Sequence, residues 1–75
     1  MRVRISRSAR KHRLGAERIR QALATATLVR EESDAAVDVG TDDRGVEIEL
    51  VVVADDRNEG GLTVIHAMPT AWRQR

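Results

Sequence analysis

The chain contains no cysteine, phenylalanine or tyrosine, and only one tryptophan and one proline among its 75 residues. Without cysteine, neither disulfides nor a thiolate metal site can stabilise the fold, so packing must do so, and a reducing cytoplasm fits best. Without phenylalanine or tyrosine, the core must consist of Val, Ile, Leu and Ala. Stacking of nucleic-acid bases on aromatic side chains is therefore not expected.

Long hydrophobic runs are also missing. The longest uninterrupted apolar run, Leu50 to Ala54, is far too short to span a bilayer, and the arginine-rich segment Met1 to Arg13 does not resemble a secretory signal. We therefore expect no membrane partner. A chain of this length has enough residues for one hydrophobic core and too few for two, so we expect one domain over residues 1–75.

The two signs of charge are separated along the sequence. Residues 1–20 carry eight arginines and lysines against Glu17 alone, whereas residues 21–72 carry three arginines against eleven carboxylates. These counts give about +7 and −8, and Arg73 and Arg75 bring the chain to its net charge of +1. A basic segment of this kind is typical of a surface that binds phosphates or an acidic partner, although a solvated face is the plain alternative.

The pattern of apolar residues predicts an α+β fold with the helices first. Met1 to Ile5 alternates as an edge strand would, unless it is unstructured, and Ser6 is suited to cap a short helix that reaches Arg13. Ile19, Ala22, Leu23 and Ala26 form one apolar stripe of a helix over residues 16–26. We expect this helix to lie on a sheet.

Beyond Thr27 the sequence is rich in β-branched residues and interrupted by polar turns, which predicts an antiparallel meander. A turn at Asp42 to Gly45 should join the two central strands, because glycine readily adopts a positive φ. The predicted fold is therefore two N-terminal helices packed on a three- to four-stranded antiparallel sheet. The strands are expected at Leu28 to Glu31, Val37 to Thr41, Val46 to Ala54 and Leu62 to Met68.

The residues suited to catalysis are histidines and arginines. The sequence has no glycine-rich phosphate loop and no nucleophile elbow, and His12 and His66 lack the spacing of a closed zinc site, so neither a cofactor nor a metal is expected. Histidine can move protons near neutral pH and arginine can stabilise phosphate charge, which together suffice for RNA cleavage. His12 and His66 are the acid and base candidates, and Arg44 and Arg73 are the candidate phosphate stabilisers. Each of the four also has a purely structural interpretation as a surface, turn or strand residue.

Three short motifs resemble those of the BrnT-like ribonuclease toxins, which belong to the RelE-like class of type II toxin-antitoxin systems. A Lys-His step precedes the amphipathic helix, a glycine-flanked hairpin precedes a hydrophobic strand, and the last strand ends in an alanine-containing segment. The motifs are residues 11–14 (Lys-His-Arg-Leu), 39–45 (Val-Gly-Thr-Asp-Asp-Arg-Gly) and 64–69 (Val-Ile-His-Ala-Met-Pro). Arg13-Leu14 replaces the family's glycine step, and the basic cluster after the last strand is reduced to Arg73 and Arg75.

The resemblance implies a metal-independent endoribonuclease that inhibits translation and is neutralised by a cognate, usually DNA-binding antitoxin. Arg7, Arg10, Lys11 and Arg13 would then bind the RNA backbone. The alternative is a non-enzymatic interaction module whose basic N-terminal helices dock an acidic protein or nucleic acid. A homodimer or a toxin-antitoxin hetero-oligomer remains open.

Overall fold

The computed structural model describes residues 3–10, 14–55 and 60–74. These residues form one α-helix, α1, two short 3-10 helices and one mixed sheet of five strands. The strands are β1 (Val3–Ile5), β2 (Thr27–Glu32), β3 (Ala35–Thr41), β4 (Glu47–Ala54) and β5 (Leu62–Pro69). The helices are α1 (Ala16–Ala24) and the 3-10 segments Ser8–Arg10 and Thr70–Gln74.

The strands lie in the order β1-β5-β4-β3-β2, with β4 at the centre. Strands β2 to β5 form the antiparallel meander that the sequence predicted, but β1 adds to the free edge of β5 in parallel. The predicted arrangement of two helices on a purely antiparallel sheet of three or four strands is therefore wrong. Val3 and Ile5 pack against the core. Strand β4 pairs with one edge of β5, and β1 pairs with the other edge.

The first predicted helix is reduced to a single 3-10 turn among the described residues. Ser6 does cap this turn, since its hydroxyl oxygen accepts a hydrogen bond of 3.2 Å from the backbone N–H of Ala9. Ala9 is the only apolar side chain between Ser6 and Arg13, and it is fully buried. One apolar residue cannot stabilise several helical turns, because short helices depend on tertiary packing. The segment Lys11 to Arg13 lies outside the described residues.

The predicted second helix is confirmed as α1, which packs on one face of the sheet through Ile19 and Ala22. The helix comes so close to β3 that a Cβ atom added at Gly40 would lie 1.9 Å from the carbonyl oxygen of Ala22. The core between α1 and the sheet consists of Ala9, Leu14, Ile19, Ala22, Ile48, Leu50, Val52, Val64 and Ala67. In the described part of the chain, no helix has both the length and the apolar character that a membrane crossing requires.

The predicted turn between β3 and β4 is confirmed, and it is fastened to α1. Gly45 has a φ of 78°, and Asp42 accepts hydrogen bonds from the backbone N–H groups of Arg44 and Val46 and from Arg18 Nε at 2.7 Å. Burial alone would raise the pKa of Asp42, but the hydrogen bonds from Val46, Arg18 and Arg44 together outweigh it and lower the pKa below its ordinary value. The turn is thereby held against the helix by a buried carboxylate.

Candidate active site at the edge of the sheet

A β-bulge in β5 decides which of its side chains face the core. Val51 of β4 pairs with His66, whereas the next residue, Val52, pairs with Val64, so Ile65 is the extra residue. Strict alternation would place His66 on the same face as Val64. Because of the bulge, Val64 and Ala67 are both buried in the core, and His66 lies on the opposite face, which we call the open face.

On the open face, His66 contacts a buried carboxylate. Its Nε2 atom lies 3.4 Å from Oε1 of Glu49 on the neighbouring strand β4. The Glu49 side chain is 9% exposed and the His66 side chain 29% exposed, so the carboxylate is held inside the sheet while the imidazole reaches solvent. A carboxylate that orients a histidine is the usual support for a general base or acid. Such an oriented imidazole can accept a proton from a substrate or donate one to it.

The bulge also anchors the arginine-rich segment that follows β1. The hydroxyl group of Ser8 donates a hydrogen bond of 2.9 Å to the carbonyl oxygen of Ile65, and the backbone N–H of Ser6 donates one of 2.9 Å to Val64. We call residues 7–10 the arginine turn, because Arg7 and Arg10 are its exposed cationic side chains. The arginine turn is thus fixed at the edge of β5, next to the residue that precedes His66.

The two arginines of this turn retain their charge for an external partner. In the described part of the chain, neither guanidinium lies within ion-pair distance of a carboxylate. By contrast, Arg18 is paired with Asp42 and Arg30 with Glu32. Exposed, unpaired arginines on a fixed turn are well suited to phosphate groups, which they can bind through two parallel hydrogen bonds.

The structure brings some of the predicted site residues together and separates others. The arginine turn, with Arg7 and Arg10, is bonded through Ser8 to Ile65, the bulge residue that precedes His66. Arg44 is exposed in the turn before β4, which begins at Glu47. His66 pairs with Val51, which lies four residues, or roughly 13 Å, further along β4 than Glu47. The roles assigned to Arg44 and His66 therefore belong to separate regions, and the role of Arg44 stays a prediction.

The remaining predicted residues are placed only in part. Arg73 belongs to the 3-10 segment Thr70–Gln74 that follows β5. His12, Lys11 and Arg13 lie outside the described residues, so their predicted roles in catalysis and RNA binding stay predictions.

Sequence reasoning missed two residues of this site, Glu49 and Ser8. Alternation along β4 correctly placed Glu49 opposite the core face, where a glutamate normally projects into water. It is buried because its neighbours on the open face cover it, and a sequence does not show which strands those neighbours come from. The role of Ser8 could not be predicted for a similar reason, because the residue to which it is hydrogen-bonded, Ile65, is 57 positions away in the sequence.

His66 and Glu49 line neither of two surface cavities found in the described part of the chain. These cavities, of about 300 and 290 Å³, lie beside Asp34 and Asp38 and between Val3 and Leu23. Small-molecule sites are usually concave, so the surroundings of His66 fit an extended polymer better. Among the described residues, no three His, Asp or Glu side chains converge as metal ligands. Comparison of the chain with family models, curated proteins and solved structures gave no match.

Proposed function

We propose that this domain is the toxin of a type II toxin-antitoxin pair and that it inhibits translation by cleaving RNA without a metal ion. The observation that carries the proposal is the position of His66, which is oriented by the buried carboxylate of Glu49 at 3.4 Å and lies beside the anchored arginine turn. The motif resemblance of residues 64–69 supports the same function. The solvent-exposed imidazole of His66 supports a polymeric substrate.

The chemistry requires one group to remove a proton and one to supply it. A histidine takes the proton from a ribose 2′-hydroxyl, the 2′-oxygen attacks the adjacent phosphorus, and the bond to the 5′-oxygen breaks as that oxygen gains a proton. The products are a 2′,3′-cyclic phosphate and a 5′-hydroxyl. His66 and His12 are the candidates for the two roles, in either order, and Glu49 orients the imidazole of His66.

The arginine turn supplies affinity for the RNA backbone. Arg7 and Arg10 would contact phosphates, and with them Lys11 and Arg13 from the segment outside the described residues. Contacts of this kind position an RNA strand without reading its sequence. Because Ser8 fixes the turn to Ile65, a strand bound by the arginines would lie against the part of β5 that contains the bulge.

The test is to incubate the protein with labelled single-stranded RNA at low salt in the presence of a chelator, beside His66→Ala, His12→Ala and Glu49→Gln variants. We expect the wild-type protein to cleave, the His66→Ala rate to fall by about 10² to 10⁴-fold, and Glu49→Gln to have an intermediate rate. An Arg30→Gln variant serves as a matched control on the distant strand β2. Intact RNA with wild-type protein, both on and off ribosomes, would refute the proposal.

The second candidate is a non-enzymatic module that uses the same arginine turn to dock an acidic protein or a nucleic acid. The observation in its favour is that Arg7 and Arg10 are exposed and unpaired in the described structure, which binding alone would explain. It predicts that RNA or an acidic partner binds equally well to wild-type and His66→Ala protein and that RNA is never cut.

The proposed partners are RNA and a cognate, DNA-binding antitoxin. Co-expression with the product of a small neighbouring gene, followed by co-purification, tests for a toxin-antitoxin hetero-oligomer. Light scattering across a salt series tests for a homodimer, in which the basic end of one copy would meet acidic loops of the other and dissociate as salt rises.

A further inference from the structure

Arg4 lies on the open face beside His66, although it belongs to the opposite end of the sequence. In the parallel pairing of β1 with β5, Arg4 is in register with Thr63, while Val3 and Ile5 point to the core. Thr63 pairs with Val53, and His66 pairs with Val51, which lies two residues along the same strand and on the same face. Arg4 and His66 therefore project from the same side of adjacent strands.

The spacing of the two residues suits a shared phosphate. Because of the bulge, Thr63 and His66 pair with Val53 and Val51, which are only two residues apart on β4. Thr63 and His66 are therefore separated by roughly 7 Å along the strand direction, and neighbouring strands are about 4.8 Å apart. The Cα atoms of Arg4 and His66 are thus roughly 8 Å apart by strand geometry. At this separation the two side chains project side by side from the open face, and one phosphodiester can lie between the guanidinium and the imidazole.

The guanidinium of Arg4 is only loosely held. The Arg4 side chain is 47% exposed, and its Nη1 atom lies 3.9 Å from Oδ2 of Asp55, whose side chain is 4% exposed. An ion pair at this distance with one exposed partner contributes little free energy. Asp55 directly follows β4 at the end remote from Glu49, so the contact directs the side chain away from His66. A phosphate can compete for the guanidinium, because it accepts two of its hydrogen bonds at once.

We propose that Arg4 binds the phosphodiester at which His66 transfers a proton and that Asp55 holds the guanidinium aside until RNA arrives. This inference rests on the proposed function and adds to it the cation that stabilises charge developing on the non-bridging oxygens. No other described arginine on the open face is as close. Arg30 is also on the open face, at the same level of the sheet as His66. Val51 and Val37 lie between the two residues, so their Cα atoms are three strand spacings, or roughly 14 Å, apart.

The first experiment measures binding without chemistry. A dinucleotide with a 2′-deoxy ribose contains the phosphodiester but lacks the attacking hydroxyl, so it cannot be cleaved. We expect it to shift the imidazole NMR signals of His66 saturably in the wild-type protein and in Arg30→Gln, and to lose at least about tenfold in affinity in Arg4→Gln. In Asp55→Asn, which releases the guanidinium, we expect tighter binding. Circular dichroism and the unbound His66 signals report whether each variant is folded.

The second experiment measures cleavage of single-stranded RNA by the same proteins. Arg4→Gln should lower kcat by about 10² to 10³-fold, as removal of a transition-state donor does, and Arg4→Lys should recover part of that loss. The lysine variant retains the charge and most of the aliphatic stem. Recovered activity in Arg4→Lys would therefore show that the loss in Arg4→Gln comes from the missing charge and not from a disrupted β1.

The outcomes separate the inference from the proposed function. Equal His66 shifts in wild-type and Arg4→Gln protein overturn the inference, even if RNA is cleaved. An Arg4-dependent shift without any cleavage supports the phosphate site and refutes the ribonuclease. If the dinucleotide shifts nothing and RNA stays intact in the wild-type protein, both fall.

Discussion

Gly40 is the residue at which the packing of α1 on the sheet tolerates least change. A methyl group there would meet the carbonyl oxygen and carbon of Ala22 at 1.9 and 2.8 Å, and both are backbone atoms that cannot rotate away. We predict that Gly40→Ala lowers the free energy of unfolding by about 3 kcal/mol or more, because the helix must move away from the core. Chemical denaturation measures this change.

The matched control is Gly15→Ala. Gly15 precedes α1 with a φ of −68°, and an added Cβ would meet nothing within 4 Å. We expect this substitution to change the free energy of unfolding by less than about 1 kcal/mol, since Ala is only a poorer N-cap than Gly. Similar effects of the two substitutions would show that α1 does not press against β3 as described.

Asp42 makes the stability of the β3–β4 turn depend on pH. Its pKa is lower in the folded chain than the ordinary value of 3.8, chiefly through the hydrogen bonds from Val46 and Arg18 that outweigh its burial. The stabilisation is therefore complete above about pH 4 and is lost as the pH falls through the lower, folded-state pKa. We predict that Asp42→Asn is less stable than the wild type at pH 7 and that the difference shrinks toward pH 2.

Thermal unfolding across this pH range checks the prediction. Asp43→Asn on the same turn is the control, because the Asp43 side chain is exposed and makes no hydrogen bond among those described. A difference between Asp42→Asn and wild type that stays constant from pH 7 to pH 2 would contradict the role assigned to this carboxylate.

Single residues of the site illustrate what a sequence can predict. His66 was recognised because histidine is the one side chain that ordinarily titrates near neutral pH. Its partner Glu49 was not, because nothing in the local sequence indicates that this glutamate is buried. The alternation of β5 did not decide the direction of His66 either, since one extra residue at Ile65 changes the face of every residue beyond it.

Among the described strands, β2 is the one whose residues are all exposed. It pairs only with β3, and all six of its residues are exposed, whereas β4 lies between two strands and contains three fully or nearly fully buried apolar side chains. A bulge at Val29 and the charges of Arg30, Glu31 and Glu32 protect this edge from pairing with other chains. Its exposed apolar residues Leu28 and Val29 would otherwise favour such pairing.

We predict that β2 opens locally without unfolding of the sheet. In native-state hydrogen exchange, its bonded amides should exchange at a free energy at least about 2 kcal/mol below the global value, because few buried contacts must be broken. The amides of Leu50 and Val52 in β4 should exchange only through global unfolding. Uniform protection of both strands would contradict this ranking.

The elements themselves were largely predictable. The stripe of Ile19 and Ala22 identified α1, alternation identified β4, and β-branched runs placed β2, β3 and β5 within two residues of their observed ends. The number of helices was not predictable in this way, because Ser6 to Arg13 has good helix-forming residues but one buried apolar contact, Ala9. Short helices depend on tertiary packing, and local preference alone did not make Ser8–Arg10 an α-helix.

At the scale of the whole molecule, the separation of charge predicts a measurable salt dependence for the proposed RNA interaction. Arg7 and Arg10 lie on one fixed turn, while the β2 and β3 end of the sheet carries Glu31, Asp34 and Asp38. We predict that each of Arg7→Gln and Arg10→Gln lowers the slope of log affinity against log salt by about 0.7, because each phosphate contact releases condensed counterions. Fluorescence anisotropy with single-stranded RNA measures the slope. Arg30→Gln, on the far edge, should leave it unchanged, and equal slopes in all variants would contradict the assignment.

The topology of the whole sheet was the least predictable property. Met1 to Ile5 was correctly suspected of forming an edge strand, but its partner could not be known, because a three-residue strand such as β1 carries too little pattern to choose among four others. The parallel pairing with β5 joins residues 59 positions apart. Contacts of this range depend on the complete fold, and it is this pairing that assembles Arg4, the arginine turn and His66.

The pairing of the first strand with the last also sets an order of events during synthesis. As the chain leaves the ribosome, α1 and the β2–β3–β4 meander can form from neighbouring segments, but β1 has no partner until β5 has emerged. During that interval Arg4, Arg7 and Arg10 are already present, whereas His66 is still inside the exit tunnel or not yet made. Under the proposed function, the catalytic site would be completed last, so an unfinished chain could bind RNA before it could cleave it.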